Sequence, residues 1–67
     1  MNMEGVAALI YRYMRARELS QKQLAMIAGM TESTLSRRLA DPQDLKVVEL
    51  KKIFRALGVS EDDRRVI

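Results

Sequence analysis

The sequence contains no cysteine and no histidine. Without cysteine there are no disulfide staples and no thiolate metal sites. Without histidine the commonest general base and the commonest zinc ligand are both missing. Proline occurs once and glycine three times, and nothing resembles an interdomain linker, a repeat or a low-complexity stretch. No apolar run approaches the length that spans a bilayer, and no signal-peptide layout opens the chain. What is left is a chain of 67 residues, enough for one domain with a small core. A domain this short buries only about 60% of its unfolded surface, so stability must come from well-packed helices or from self-association. A cytoplasmic location and no cofactor are the expectations.

The twelve Lys and Arg outnumber nine Asp and Glu, for a net charge of +3. Such an excess favours a polyanionic partner. Apolar spacing is helical throughout, with no sustained alternation that would mark strands, so the expected fold is all-α, a compact bundle of five short helices. The first helix is expected over about residues 3–17. Val6, Ile10, Tyr13, Met14 and Arg17 form its inward stripe, with Leu9 on the flank. Arg17 can lay its methylenes on that surface while its charge stays wet. Ser20 is a good N-cap for a second helix, and Gln23 stands three residues on, where a capping box needs it. That helix runs to Ala28 with Leu24, Ala25 and Ala28 inward, and Gly29 suits a left-handed C-terminal position. Thr31 caps a third helix that carries Glu32 in its first turn and reaches about Ala40, with Leu35 and Leu39 inward.

Residues 41–44 read as a turn. A fourth helix begins between Leu45 and Val47, with Asp44 as a possible cap, and its core stripe is Val47, Leu50, Ile53, Phe54 and Leu57. Gly58 ends it, and Val59 packs inward. Ser60 with Asp63 has the spacing of another capping box and opens a short last helix. Met26 and Val48 point away from the core; single exposed apolar residues are ordinary, or else they touch a partner protein.

The informative stretch is Leu19 to Leu39. Two short helices are separated only by Gly29, Met30 and Thr31, a link that fixes a corner between them. Ala25 and Ala28 are small where the helices cross, Gly29 ends the first helix, and Leu35 and Leu39 anchor the second. With those anchors inward, the outward arc of the second helix is Ser33, Thr34 and Arg37. Glu32 stands at its exposed start and Arg38 on its flank. Short hydrogen-bonding side chains and arginine suit the major groove of DNA, which admits a helix and presents donors and acceptors; the plainer reading of the arc alone is a solvated helix face.

Leu-Ser-Gln at 19–21, Leu-Ala at 24–25, Ala-Gly-Met-Thr at 28–31 and Leu-Ser-Arg at 35–37, followed by Leu50, Ile53 and the run 56–60, resemble the lambda-repressor and Cro-like (XRE-like) helix-turn-helix family over residues 19–59. The resemblance implies that Gln21 and the amides opening the second helix hold a phosphate, with Lys22 beside them. It implies that Glu32, Ser33 and Arg37 reach base edges, Arg37 by a bidentate bond to guanine and Glu32 by accepting from cytosine. Thr34, Arg38 and Lys46 are placed for backbone phosphates, and Thr31 joins them at the helix start. The sequence departs from the family where an arginine of the first helix and a glutamate of the third commonly pair in the interior. Met14 and Leu39 stand there instead, and are expected to touch.

These readings point to a small regulator that binds double-stranded DNA at a palindromic operator, a repressor of phage or mobile-element type. No nucleophile–base arrangement, phosphate loop or ligand cluster is present, and the carboxylates at 61–63 read as a helix start, so no enzyme is expected. An antitoxin of a toxin–antitoxin pair, or a helix-turn-helix that binds protein instead of DNA, remain open; an acid at Glu32 suits the latter. Relatives dimerise to meet successive major grooves about 34 Å apart. Here a weak homodimer is expected through the C-terminal segment, where Val59, Val66 and Ile67 lie next to Asp62, Asp63, Arg64 and Arg65.

Overall fold

A computed structural model describes residues 3–65. They form five helices, α1 (Met3–Ala16), α2 (Gln21–Ala28), α3 (Glu32–Ala40), α4 (Val47–Leu57) and α5 (Glu61–Arg64), with a 3-10 turn at Pro42–Asp44. The all-helical expectation holds. α2 packs against both α3 and α4, α1 packs on α4, and the 3-10 turn closes against α1 and α3. Val6, Leu9, Ile10, Met14, Leu24, Ala25, Ala28, Leu35, Leu39, Ile53, Phe54, Leu57 and Val59 form one core. Met14 and Leu39 belong to that same apolar cluster, both buried.

The helix ends follow from local chemistry. Ser20 Oγ accepts the Gln23 amide at 3.1 Å while Gln23 Oε1 accepts the Ser20 amide at 2.9 Å, so the capping box of α2 is complete. Gly29 and Gly58 take left-handed conformations with φ of 73° and 66°, and their amides return to the last carbonyls of α2 and α4. α1 ends differently. The left-handed residue there is Glu18, with φ of 54°, while the Leu19 amide donates back to the Met14 carbonyl at 2.9 Å. A side chain in that region strains the backbone where glycine would not.

Four expectations need correction. Val47 is 71% exposed, because α4 starts at that residue and Leu45, just before it, packs against the core in its place. Asp44 does not cap α4. It lies in the 3-10 turn, and the capping position belongs to Lys46, whose amide donates to Glu49 Oε1 at 2.9 Å. Arg17 lies past the end of α1 and is exposed; its guanidinium stacks 4.9 Å above the Tyr13 ring. The Ser60–Asp63 box forms only by half. Ser60 Oγ accepts the Asp63 amide at 3.2 Å, but the Ser60 amide donates to Tyr13 Oη at 3.3 Å and the Tyr13 hydroxyl donates to the Asp63 carboxylate. Tyr13 thereby ties α1 to the start of α5. Hydrogen bonding from Tyr13, then from Ser60, and the nearby Arg12 charge hold the Asp63 carboxyl below its ordinary value against the opposing effect of desolvation.

Candidate nucleic-acid interface

The corner between α2 and α3 sets the surface. Leu24, Ala25 and Ala28 on one side and Leu35 and Leu39 on the other are buried, so the opposite face of α3 must point outward. Glu32, Ser33 and Arg37 are exposed on it, and Thr34 is half-buried. Thr31 Oγ1 accepts the Thr34 amide at 3.1 Å and donates its own hydroxyl to Thr34 Oγ1 at 2.8 Å. The Arg37 guanidinium reaches back one turn and donates to the same Thr34 oxygen at 3.4 Å. Thr34 is therefore the hub of a small polar line along α3. Its hydroxyl draws the exposed Arg37 side chain back toward the preceding turn of the helix.

The start of α2 offers a different chemistry. Ser20 and Gln23 are occupied with each other, and no acid lies in the first turn. The first amides of the helix and its positive dipole end are left facing outward, which is the arrangement that holds a phosphate oxygen. Gln21 is half-buried and Lys22 exposed at that end.

Arg38 behaves unlike its neighbours. Its Nε donates to Glu49 Oε1 at 3.0 Å, and the two side chains keep only 19% and 14% of their exposure. The same Glu49 oxygen takes the Lys46 amide. One carboxylate thus ties the C-terminal half of α3 to the first turn of α4 and sets exposed Lys46 beside that junction. The Lys46 amide, then the Arg38 guanidinium, hold the Glu49 carboxyl below its ordinary value, outweighing the cost of burial. Glu49 was not foreseen as part of the site. Its signal was there, an acid three residues into a helix start, but the cap it serves is a lysine and not a residue that announces a cap.

Part of the C-terminal segment is engaged within its own chain, while Asp62 and Arg65 stay largely exposed and, among the described residues, pair only with each other. Val59 is buried, Asp63 bonds Tyr13 and lies 3.5 Å from Arg12, and Arg64 stacks 5.7 Å from the Phe54 ring. Val66 and Ile67 lie outside the described residues.

This geometry defines a helix-turn-helix, two short helices locked at a glycine corner with the second presenting a polar arc. A family model described as helix-turn-helix matches residues 10–64. The chain belongs to that family, the lambda-repressor and Cro-like, XRE-like helix-turn-helix proteins. The family is a DNA-binding regulatory one and not an enzymatic one. No significant match was found among curated proteins or among solved structures. Among the described residues, no helix is long and apolar enough to cross a membrane.

Proposed function

We infer that the protein is a sequence-specific, double-stranded-DNA-binding transcription regulator acting in the cytoplasm as a small repressor. The observation that carries this reading is the Thr31–Thr34–Arg37 line, which holds an exposed guanidinium on the outward face of α3. Arg37 reads guanine O6 and N7, with Ser33 and Glu32 at adjacent base edges. Gln21, Lys22 and the amides opening α2 grip a phosphate on one side, and Lys46 grips one on the other. Thr31 and Thr34 act as positioning residues for Arg37, and Arg38 positions α3 through Glu49. One recognition helix spans only a few base pairs, so the operator is palindromic and holds two copies.

The test is selection of bound duplexes from a random pool, followed by titration of Arg37→Ala. The selected consensus is a two-fold repeat, and Arg37→Ala loses about 1–3 kcal/mol on it while its affinity for random duplex changes far less. An unchanged ratio of specific to random binding removes Arg37 from base reading. A second reading, a helix-turn-helix that serves a protein partner and does not bind DNA, is favoured by exposed Met26 and Ile27. Ile27 borders a shallow cavity of about 460 Å³ with Lys52, Arg55 and Ala56. Absence of any duplex binding at low salt would select that reading.

A further inference from the structure

α2 and α4 pack against each other and share a groove lined in part by small side chains. Ala28 is buried and Ala56 half-buried, and both line a shallow cavity of about 460 Å³. Ile27 borders it from α2, Lys52 and Arg55 from α4. Ile27 keeps 57% of its surface in water, and so does Val48, which stands one turn before Lys52 on the same line of α4. A single exposed apolar side chain is ordinary. Ile27 differs in lining a concave site whose other apolar members are alanines, and such a site takes a large side chain from outside.

The charge around this groove is one-sided. α2 contains no acid, and the one acid of α4, Glu49, is held by Arg38 and the Lys46 amide. Lys51, Lys52 and Arg55 are exposed, and none of them forms an ion pair among the described residues. Arg55 suits the negative end of α4, but Lys51 and Lys52 stand in mid-helix, where the dipole asks for no cation. We propose that the groove between α2 and α4 docks an acidic segment of a partner protein. That segment sets a large aliphatic or aromatic side chain against Ile27 and the two alanines, while its carboxylates face Lys52, Arg55 and Lys51. Opposite charge steers the encounter and fixes the register, and a basic segment is turned away by the same three cations. None of the residues assigned to DNA lines the groove, so the docking holds whether or not α3 reads bases. The surface is small beside the roughly 800 Å² per partner of stable complexes, so the docking is transient and sensitive to salt.

The test is selection from a library of random short peptides with the full chain as bait at low ionic strength. Fluorescence anisotropy then measures the affinity of the selected peptides. Enriched sequences combine aspartate or glutamate with a large apolar residue, and their affinity falls as salt is added. Lys52→Glu together with Arg55→Glu turns attraction into repulsion and weakens binding about tenfold or more. Ile27→Gln weakens it about tenfold with no change of charge. All three positions are exposed, and circular dichroism checks that each variant folds. The peptide measurements are made without DNA, so their outcome is separate from whether α3 binds a duplex. No enrichment, or enrichment without an acidic bias, overturns the proposal. So does a selected peptide that binds Ile27→Gln as it binds the parent. Random duplex DNA is titrated against the same variants, and its salt slope stays that of the parent. A slope lowered by about two in the double charge reversal would make Lys52 and Arg55 phosphate contacts and overturn the proposal as well.

Discussion

Replacing Arg38 by methionine separates two roles for that residue, a phosphate contact and a clamp between α3 and α4. Methionine keeps an apolar stem of similar reach and removes only the guanidinium. The lost bond is 3.0 Å long, between side chains 19% and 14% exposed. It therefore lies between a surface pair, worth about 0.2–1 kcal/mol, and a sheltered hydrogen bond to a charged group, worth about 1.5–3 kcal/mol. Glu49 retains the Lys46 amide at 2.9 Å, so its carboxylate is not stranded, and the loss settles at about 1.5 kcal/mol. For a domain of this size that lowers Tm by roughly 6–12 °C. Because the folded pKa of Glu49 is lowered, its contribution is present above the unfolded value and is lost as pH falls through the folded one. Arg38→Met therefore loses most relative to the parent near neutral pH, and the two melting curves converge in acid. Melts by circular dichroism across that pH range, with Glu49→Gln and the double variant completing a cycle, measure the coupling. A Tm within a degree or so of the parent, together with a salt slope for DNA binding reduced by about one, would refute the clamp and restore Arg38 as a phosphate contact.

Four further substitutions have outcomes set by the same structure. Leu39→Glu places a charge in the core cluster where no partner stands, and costs on the order of 3 kcal/mol or more; a urea midpoint equal to the parent's would show position 39 to be open to water. Glu18→Gly relieves the left-handed strain at the end of α1 and raises stability by roughly 0.5 kcal/mol, the steric gain being partly offset by unfolded-chain entropy. Gly29→Ala, where a new Cβ meets nothing within 4 Å, lowers it by about 1 kcal/mol for the backbone alone; opposite signs at the two sites are the result to look for in paired denaturation curves. Tyr13→Phe frees Asp63, whose depressed folded pKa makes its contribution present above the unfolded value and lost as pH falls through the folded one. The variant's acid denaturation is accordingly shallower than the parent's, and an identical acid limb would mean that the Tyr13–Asp63 bond does not bear on stability.

The helix-turn-helix was legible because each of its parts is a local signal. Ser20 and Gln23, Gly29, and Thr31 act within a few residues of themselves, and the inward leucines recur at helical spacing. The misreadings occurred where a side chain's fate depends on a distant element. Asp63 has the spacing of a capping residue, yet its carboxylate is taken by Tyr13, fifty residues away in sequence. Val47 fits the stripe of α4 by period, but nothing packs over the first turn of that helix on its side. Arg38 lies on the flank of α3 in any helical wheel, and only the path of the turn at Pro42–Asp44 brings Glu49 against it. Thr34 was legible as an outward polar residue but not as the hub between Thr31 and Arg37, since a wheel places side chains without saying which rotamers meet.

Met14 and Leu39 bear on why that clamp stands where it does. The resemblance places an interior arginine–glutamate pair at these positions in many relatives, where it would tie the first helix to the third at the cost of drying two charges. Here both positions are apolar and lie in the core, which avoids that cost. Apolar packing fixes how deep α3 sits, but it is tolerant of rotation about the helix axis. A directional bond is not. Arg38 to Glu49 supplies one from the flank of the same helix, where water still reaches both groups and the penalty for drying them is small. The bond constrains the roll of α3, and under the proposed function that roll would decide whether Ser33 and Arg37 face the groove. Arg38→Met should therefore blur base preference as well as lower Tm, with Arg37 untouched. If discrimination between operator and random duplex survives in Arg38→Met at a temperature where the variant remains folded, packing alone sets the roll of α3.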